Sequence, residues 1–243
     1  MKHAKAWAAA AAMVTLLAGA PFAASWAAGN DRGGDSGGAD EVVVAHASDR
    51  LPNRTASDWV TYADHVVVVT ATAERELPAD PEEVEAGQGY IPREVTLEVD
   101  DVVWSRAGAA ESAPAPDFTW PAPGWTFRQD GSRSPMALED RPRVEVGHRY
   151  LMALTWRPAF TEEGETIPGQ WRGLGENSTL PYDDGVIGRG ESEGSEQAAA
   201  AAEHADEGEG GPSLKKEMTG RSATDLRAAL DAAQPTARQD FGR

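Results

Sequence analysis

The chain contains no cysteine among its 243 residues. Disulfide bridges, thiolate metal sites and cysteine nucleophiles are therefore excluded. Aromatic residues make up only 7% of the chain, whereas glycine and proline are frequent, with 25 and 16 copies. Because such a composition buries little apolar surface to offset the entropy of ordering the backbone, we expect one folded core rather than two.

Positive charge is also scarce. The chain has 22 Lys and Arg against 40 Asp and Glu, a formal net charge of −18 at pH 7. A field of this sign repels phosphate backbones and anionic bilayers. We therefore expect no nucleic-acid partner and no binding to anionic membrane surfaces, and we interpret the charge as a means of keeping an exported protein soluble.

The N-terminal residues 1–28 have the pattern of a signal peptide. Two lysines precede an Ala-rich apolar stretch that ends at Pro21, and small residues follow, so cleavage is predicted after Ala27 or Ala28. A retained anchor is the alternative, but the stretch is shorter than the roughly 20 apolar residues that span a bilayer. We predict a secreted or cell-surface protein without stable membrane insertion after cleavage.

The rest of the chain divides by composition. The divisions are a Gly/Asp-rich linker at 29–54, a β domain at 55–189, an acidic disordered linker at 190–213 and a weakly helical tail at 214–243. In the tail, Ser222 and Asp225 match a capping box at the start of a helix. Because Leu226 and Leu230 make only a thin apolar stripe, we expect this helix to be transient.

Three stretches of the β domain have strand patterns. Residues 144–156 give the clearest signal, residues 65–73 contain four consecutive valines typical of a strand buried on both faces, and residues 93–106 alternate apolar and polar side chains. The alternation changes phase at Asp101, which predicts a β-bulge there. A capping box at Thr55 predicts one short helix before the strands.

The order of these stretches leaves no crossover helix between them, so antiparallel pairing is expected. Residues 107–123 are rich in Ala and Pro and lie outside the predicted strands, and residues 125–128, W-T-F-R, are predicted to form a short strand. Residues 158–190 are loop-like but contain apolar side chains, which we expect to pack on the sheet as a covering strap. The predicted fold is mainly β: a small antiparallel barrel or sandwich with one short helix and disordered terminal segments.

The stretches V-V-V-V-T-A-T, V-T-L-E-V-D-D-V-V-W and V-G-H-R-Y-L-M-A-L resemble successive strands of the OB-like barrels of the netrin and tissue-inhibitor type. The resemblance covers roughly residues 62–156 and implies a small OB-like barrel. Those families use disulfides and an N-terminal cysteine to block metalloproteinases, and this chain has neither. The whole chain is also similar in composition and organisation to exported proteins of high-GC actinobacteria, a resemblance that implies a location outside the membrane.

Two histidines, His65 and His148, lie inside predicted strands. Paired strands would bring them together with Asp64, Asp100 or Asp101, the elements of a two-histidine, one-carboxylate site. Their spacing matches no established ligand pattern, and structural roles at strand starts are the alternative. We predict no metal and no cofactor. The chain contains no G-x-S-x-G, S-x-x-K or H-E-x-x-H motif, so no catalytic residue is assigned.

Tryptophan is the one abundant aromatic residue, with eight copies. Several lie at predicted strand ends and in loops, where indole rings bind sugars or peptides, and core packing is the alternative role. The ligand-binding residues predicted on this basis are Trp125, Trp171 and Trp104.

The function predicted from sequence is that of a secreted, non-enzymatic protein that binds an extracellular or cell-wall partner. Two alternatives stay open. One is a secreted hydrolase that uses His65 and His148 with a carboxylate, and the other is a purely structural surface protein.

Overall fold

The computed structural model describes residues 42–45, 49, 51–138, 141–162, 165–191, 213–239 and 241. Outside these residues lie the predicted signal peptide, most of the Gly/Asp-rich linker and most of the acidic linker. Among the residues described, no helix is long and apolar enough to cross a membrane.

The described chain is mainly β. Its ten strands are β1 Val43–Ala45, β2 His65–Glu76, β3 Gly89–Ser105, β4 Asp117–Phe127, β5 Arg133–Leu138, β6 Arg149–Arg157, β7 Phe160–Glu162, β8 Glu165–Ile167, β9 Gln170–Gly173 and β10 Thr179–Pro181. Its helices are α1 Ala56–Tyr62, α2 Pro81–Ala86, α3 Leu214–Met218 and α4 Ala223–Ala232, with 3₁₀ turns at Glu176–Ser178 and Asp183–Gly185.

Eight strands form one sheet in the order β1-β5-β4-β3-β2-β6-β10, and β9 also pairs with β6. The pairs are antiparallel except for β1 with β5 at one edge. Two short strands share the outer side of β6: residues 150–152 pair with β10, and residues 154–157 pair with β9. Strands β7 and β8 extend that second pairing as a hairpin.

The central strand β2 is buried on both faces, as its four valines predict. Val66 and Val68 belong to one apolar cluster, and Val67 and Val69 belong to a second cluster on the opposite face. The first cluster is covered by α1, α3 and α4, and we call it the helix-covered core. The second is enclosed by β3, β4, β6 and β9, and we call it the sheet-enclosed core.

Strand β3 bends where the sequence predicts a bulge. Its pairing with β2 shifts register three times: between the β3 partners Val99 and Asp101, between Val102 and Trp104, and between Ala71 and Ala73 of β2. The first two shifts insert one extra residue on β3, the third inserts one on β2, and each increases the local twist. The alternation of Val95 and Leu97 inward is also confirmed, because both are fully buried.

The sheet is not closed, so the OB-like barrel specifics are not confirmed. Its end strands β1 and β10 pair with β5 and β6, and no pairing joins the two ends within the described residues. A barrel requires its first and last strands to complete a ring of hydrogen bonds. Here the outer side of β6 is taken by two short strands, and β3 and β4 curl over the sheet-enclosed core instead.

The predicted strand over residues 144–156 begins later than expected, at Arg149. Val144 is buried but adopts φ 62°, a left-handed conformation that interrupts any strand, and Val146 is 43% exposed. The V-E-V alternation therefore marks a turn that leads into β6 rather than the start of the strand.

Strand β4 includes the predicted short strand from residue 125 and extends it back to Asp117, into residues that lie outside the predicted strands. Prolines 121 and 123 argue against a strand in the sequence, because proline has no N–H to donate to a ladder. In β4 they lie where only β3 is a neighbour, since β5 pairs with residues 125–127 alone. The outer side of the proline-containing segment is thus a sheet edge, where proline is tolerated.

The C-terminal segment is not a transient helix. Leu214, Leu226 and Leu230 are buried in the helix-covered core beside Trp59 of α1. The thin stripe suffices because only two leucines need to fill the gap beside α1 and the sheet. Both predicted capping boxes are present, at Thr55 with Asp58 and at Ser222 with Asp225.

Candidate functional site

A surface groove of about 310 Å³ lies where β3, β4, β6 and β9 meet. Its apolar wall consists of Phe118 and Pro121 from β4, Trp156 from β6 and Trp171 from β9. Its polar lining consists of Glu94, Thr119 and Gln170, with Gly169 at one side. We call this set the aromatic groove.

The two tryptophans of the groove are direct cross-strand partners. Trp156 pairs with Trp171 in the antiparallel register of β6 and β9, and their ring centroids lie 5.1 Å apart in an edge-on arrangement. Directly opposite residues share one face of a sheet, so this register places both indoles together. Trp171 is 8% exposed and lies deepest, whereas Trp156 is half-buried.

Gly169 lies directly against the indole ring of Trp156 at the side of the groove. A Cβ atom at this position would overlap Cζ2 of the Trp156 indole. The absence of a side chain therefore allows the ring to lie against the backbone.

Charge within the groove is compensated. Among the described residues that line it, Glu94 alone is ionisable, and its carboxylate is hydrogen-bonded to Nη2 of Arg75. The remaining polar groups are the hydroxyl of Thr119 and the amide of Gln170. The groove therefore offers aromatic surface and neutral hydrogen-bonding groups, a combination suited to a neutral polar ligand.

Trp125, one of the predicted ligand-binding residues, lies away from this groove. The guanidinium carbons of Arg93, Arg133 and Arg143 lie 5.6, 5.2 and 5.0 Å from its ring centroid. Cation–π contacts of this kind stabilise the indole within the fold.

Arg93 and Arg143 are themselves almost fully buried, at 1% and 3% exposure. Arg93 donates to the carbonyls of Pro123 at 2.7 Å and of Arg143 at 2.7 Å, and it pairs with Glu74. Arg143 donates to the carbonyl of Gly124 at 2.9 Å and pairs with Glu145. We call these four charged residues the arginine network, and its donors are used within the fold.

Two tyrosines border the arginine network, the half-buried Tyr90 and the fully buried Tyr150. The Tyr90 hydroxyl accepts a hydrogen bond from Gly124 N at 2.9 Å, and the Tyr150 hydroxyl accepts one from Glu145 N at 2.7 Å. Burial raises the pKa of both phenols above the ordinary value near 10, and the carboxylates of Glu191 and Asp183 raise that of Tyr150 further. Both tyrosines therefore stay neutral in the folded protein at physiological pH.

Trp104, the third predicted residue, is half-buried and packs against the helix-covered core. The structure thus brings Trp171 into the groove and leaves Trp104 and Trp125 elsewhere. Trp156 takes their place as the second tryptophan of the groove.

His65 is 4% exposed, and both its ring nitrogens are used. Nε2 lies 2.9 Å from the carbonyl oxygen of Glu111, and Nδ1 lies 2.8 Å from Oγ of Ser105. Because a carbonyl only accepts, Nε2 carries the proton in the neutral ring and Ser105 donates to Nδ1. The imidazole edge also contacts Trp171, with centroids 5.4 Å apart, so His65 supports the groove from below.

His148 is not brought to His65. His65 pairs with Leu154, whereas the carbonyl of His148 accepts from Ala71 N, six residues further along β2. At about 3.3 Å per residue this separates the histidines by roughly 20 Å. His148 instead contacts Asp183 at 2.6 Å.

The predicted carboxylate partners are occupied as well. Asp64 is paired with Arg106 and accepts from Trp156 N at 2.7 Å, and Asp100 accepts from Arg149 at 3.1 Å. Within the part of the chain that the structure describes, no group of three His, Asp or Glu side chains is placed to hold a metal ion.

Sequence reasoning did not select Phe118, Glu94, Gln170 or Trp156 for the groove. One signal was present: Trp156 and Trp171 are equally distant in sequence from the midpoint between β7 and β8, as are Phe160 and Ile167. Antiparallel pairing that is symmetric about this midpoint places the two tryptophans opposite each other. The contribution of β4 was hidden because its prolines argue against a strand.

No family model matches this chain, and neither a curated protein nor a solved structure matches it significantly.

Proposed function

We propose that this protein acts outside the membrane as a non-enzymatic binding protein, and that its aromatic groove takes a neutral saccharide of the cell wall or extracellular matrix. The observation that carries the proposal is the pairing of the half-buried Trp156 with the largely buried Trp171, in a groove where Arg75 compensates the charge of Glu94. The predicted signal peptide supports the location.

The chemistry of the groove favours a sugar over other extracellular ligands. Aromatic side chains contact the apolar C–H faces of a sugar ring, while amide, hydroxyl and carboxylate groups at the rim bond its hydroxyls. Gln170, Thr119 and Glu94 supply such groups beside Trp156. The overall charge of −18 disfavours polyanionic glycans.

Titration of tryptophan fluorescence tests the proposal. The probes are N-acetylchitohexaose, cellohexaose and solubilised cell-wall glycan, added to the folded protein at pH 7. Binding of a saccharide changes the emission of Trp156 and Trp171. The Trp156→Ala variant is expected to weaken affinity about tenfold, equivalent to ~1.4 kcal/mol, because an aromatic anchor is lost.

Trp104→Ala is the matched control. It removes an indole that packs against the helix-covered core instead of lining the groove. Its affinity should stay within twofold of the unmodified protein once circular dichroism has confirmed folding. Failure of every probe to bind, or equal losses in the two variants, contradicts the proposal.

Binding and activity measurements on this protein distinguish the two alternative functions, a structural surface protein and a hydrolase. A structural surface protein predicts no saccharide binding in any variant. A hydrolase that depends on His65 and His148 predicts product formation that a double His→Ala variant abolishes. The roughly 20 Å between the two histidines, from about 3.3 Å per residue, gives that alternative no common site.

A further inference from the structure

A second cavity, of about 570 Å³, lies between the C-terminal segment and the loop before α1. Arg54, Lys215 and Lys216 line it together with the polar groups of Asn177, Ser213 and Thr219. We call it the cationic pocket. None of these residues belongs to the aromatic groove.

The two lysines are unusual in this chain. Beyond Lys5, Lys215 and Lys216 are the only lysines in the sequence, and every other basic residue there is an arginine. A lysine ammonium is a compact point charge with three rotatable donors, and it is an established phosphate binder. Their side-by-side placement puts both charges at one cavity.

The fold assembles this pocket from segments far apart in sequence. Leu214 N donates to the Arg54 carbonyl at 2.6 Å, which places the lysines beside the arginine. Asn53 is 2% exposed, and its Oδ1 accepts from Asn177 N at 3.2 Å and from Asn177 Nδ2 at 3.0 Å. The buried Asn53 thereby fixes Asn177 at the wall of the pocket.

Two carboxylates belong to the lining of the pocket as well. Asp49 accepts from Arg141 at 3.0 Å through Oδ1 and from Asn53 at 2.7 Å through Oδ2. Glu176 is the second carboxylate. Among the described lining residues, three cations, Arg54, Lys215 and Lys216, thus accompany two carboxylates, one of which is already bonded to Arg141 outside the lining.

We propose that the cationic pocket binds a small tetrahedral oxyanion, the phosphate or sulfate group of a small molecule. Ammonium and guanidinium groups give charge-assisted hydrogen bonds to such oxygens, and the amide and hydroxyls of the lining add neutral ones. The negative field of the whole molecule excludes long polyanions from this surface, whereas a single small anion meets mainly the local charges.

Isothermal titration calorimetry of the full chain tests this inference. Inorganic phosphate, sulfate and glucose 6-phosphate are added separately at pH 7 and constant ionic strength. We expect a dissociation constant in the millimolar range or tighter for at least one of them. The Lys215→Ala/Lys216→Ala variant is expected to weaken that affinity at least fivefold, and Arg54→Ala at least threefold.

The charge-matched control is Arg128→Ala/Arg227→Ala. It also removes two exposed positive charges, but neither residue lines the pocket. Its affinity should change less than twofold, and the Lys215→Arg/Lys216→Arg variant should retain most of the binding. Phosphate must also raise the melting temperature of the unmodified protein more than that of the double-alanine variant.

The relative affinities of the three probes identify the kind of molecule that supplies the oxyanion. Tighter binding of glucose 6-phosphate than of free phosphate assigns the pocket to a phosphorylated metabolite, and a preference for sulfate assigns it to a sulfate ester. The inference is overturned if none of the anions binds, or if the lysine variant and the charge-matched control lose affinity equally. Trp156→Ala should leave phosphate binding unchanged, so the result does not depend on the groove.

Discussion

Arg93 is the residue whose environment departs most from the ordinary behaviour of its type. Charged side chains are almost never fully buried unless they are paired, and this one is 1% exposed with carbonyl and carboxylate partners on every side. Its guanidinium joins β3 to the turn before β6 and to β4. The arginine network therefore holds β3, β4 and the turn before β6 together through hydrogen bonds. In a protein with a larger apolar core, side-chain packing would hold such elements together.

Replacing Arg93 by Met should destabilise the protein by about 3–5 kcal/mol. The substitution leaves the carbonyls of Pro123 and Arg143 buried without donors, and the cost of such groups exceeds the apolar gain. Urea unfolding followed by circular dichroism measures the loss. Arg189→Ala is the control, because Arg189 and Asp184 form an exposed pair worth less than about 0.5 kcal/mol. A loss below about 1 kcal/mol for Arg93→Met would show that the network is dispensable.

Val144 is strained, because a β-branched residue rarely adopts φ 62°. A glycine normally makes a folded protein less stable than an alanine at the same position. At a left-handed position glycine is the more stable of the two, because it has no Cβ atom to clash with the backbone. We therefore expect Val144→Gly to be more stable than Val144→Ala by about 1 kcal/mol, although both lose buried methyl groups. Denaturation midpoints of the two variants provide the test, and the opposite order would remove the case for strain.

At the scale of elements, the C-terminal helix α4 is part of the core. Leu226→Ala is expected to cost about 2–5 kcal/mol, because Leu226 is fully buried against the helix-covered core. Arg227→Ala changes the neighbouring, exposed position of the same helix and should stay within about 0.5 kcal/mol. Thermal unfolding of both variants measures the difference. Equal melting temperatures would mean that α4 is not docked in solution.

Local signals in the sequence predicted most of the elements whose cause is local. The capping boxes at Thr55 and Ser222, the doubly buried valines of β2 and the bulges of β3 all follow from neighbouring residues. Docking of α4 could not be predicted in this way, since two leucines carry it and their partner surface is about 170 residues away in the chain. The left-handed Val144 was equally hidden, because a β-branched residue gives no local signal for this conformation and its carbonyl partner, Arg93, is distant in sequence.

The candidate groove was predictable only in part, for a related reason. Trp171 was selected because indole rings at strand ends and in loops can bind ligands, yet that criterion does not distinguish it from Trp125, which lies among arginines. What makes a groove is the set of strands that meet there. The sequence does not specify that β4, with its two prolines, lies beside β3.

At the scale of the whole molecule, stability should fall in alkali. Folding raises the pKa of Tyr90 and Tyr150, so the folded state holds its phenolic protons more tightly than the unfolded chain does. The stabilisation is complete below the unfolded pKa near 10 and is lost as pH rises above it, by up to about 1.4 kcal/mol per pH unit for each tyrosine.

Urea midpoints measured between pH 8 and pH 11 check this expectation. The unmodified protein should be constant to about pH 9.5 and then decline. A Tyr90→Phe/Tyr150→Phe variant has no phenol to ionise at either position, so its decline should be clearly shallower. Parallel declines in the two proteins would assign the alkaline effect to other groups.

The docking of the C-terminal segment also determines when the fold can be completed during synthesis. Ser57 of α1 donates to the carbonyl of Gln234 across 177 residues, and Leu230 packs into the same core. Trp59, Val66 and Val68 are made early but gain their full cover only after the last helix has left the ribosome. The nascent chain therefore presents an open apolar face for most of its synthesis, a state that a holding chaperone recognises.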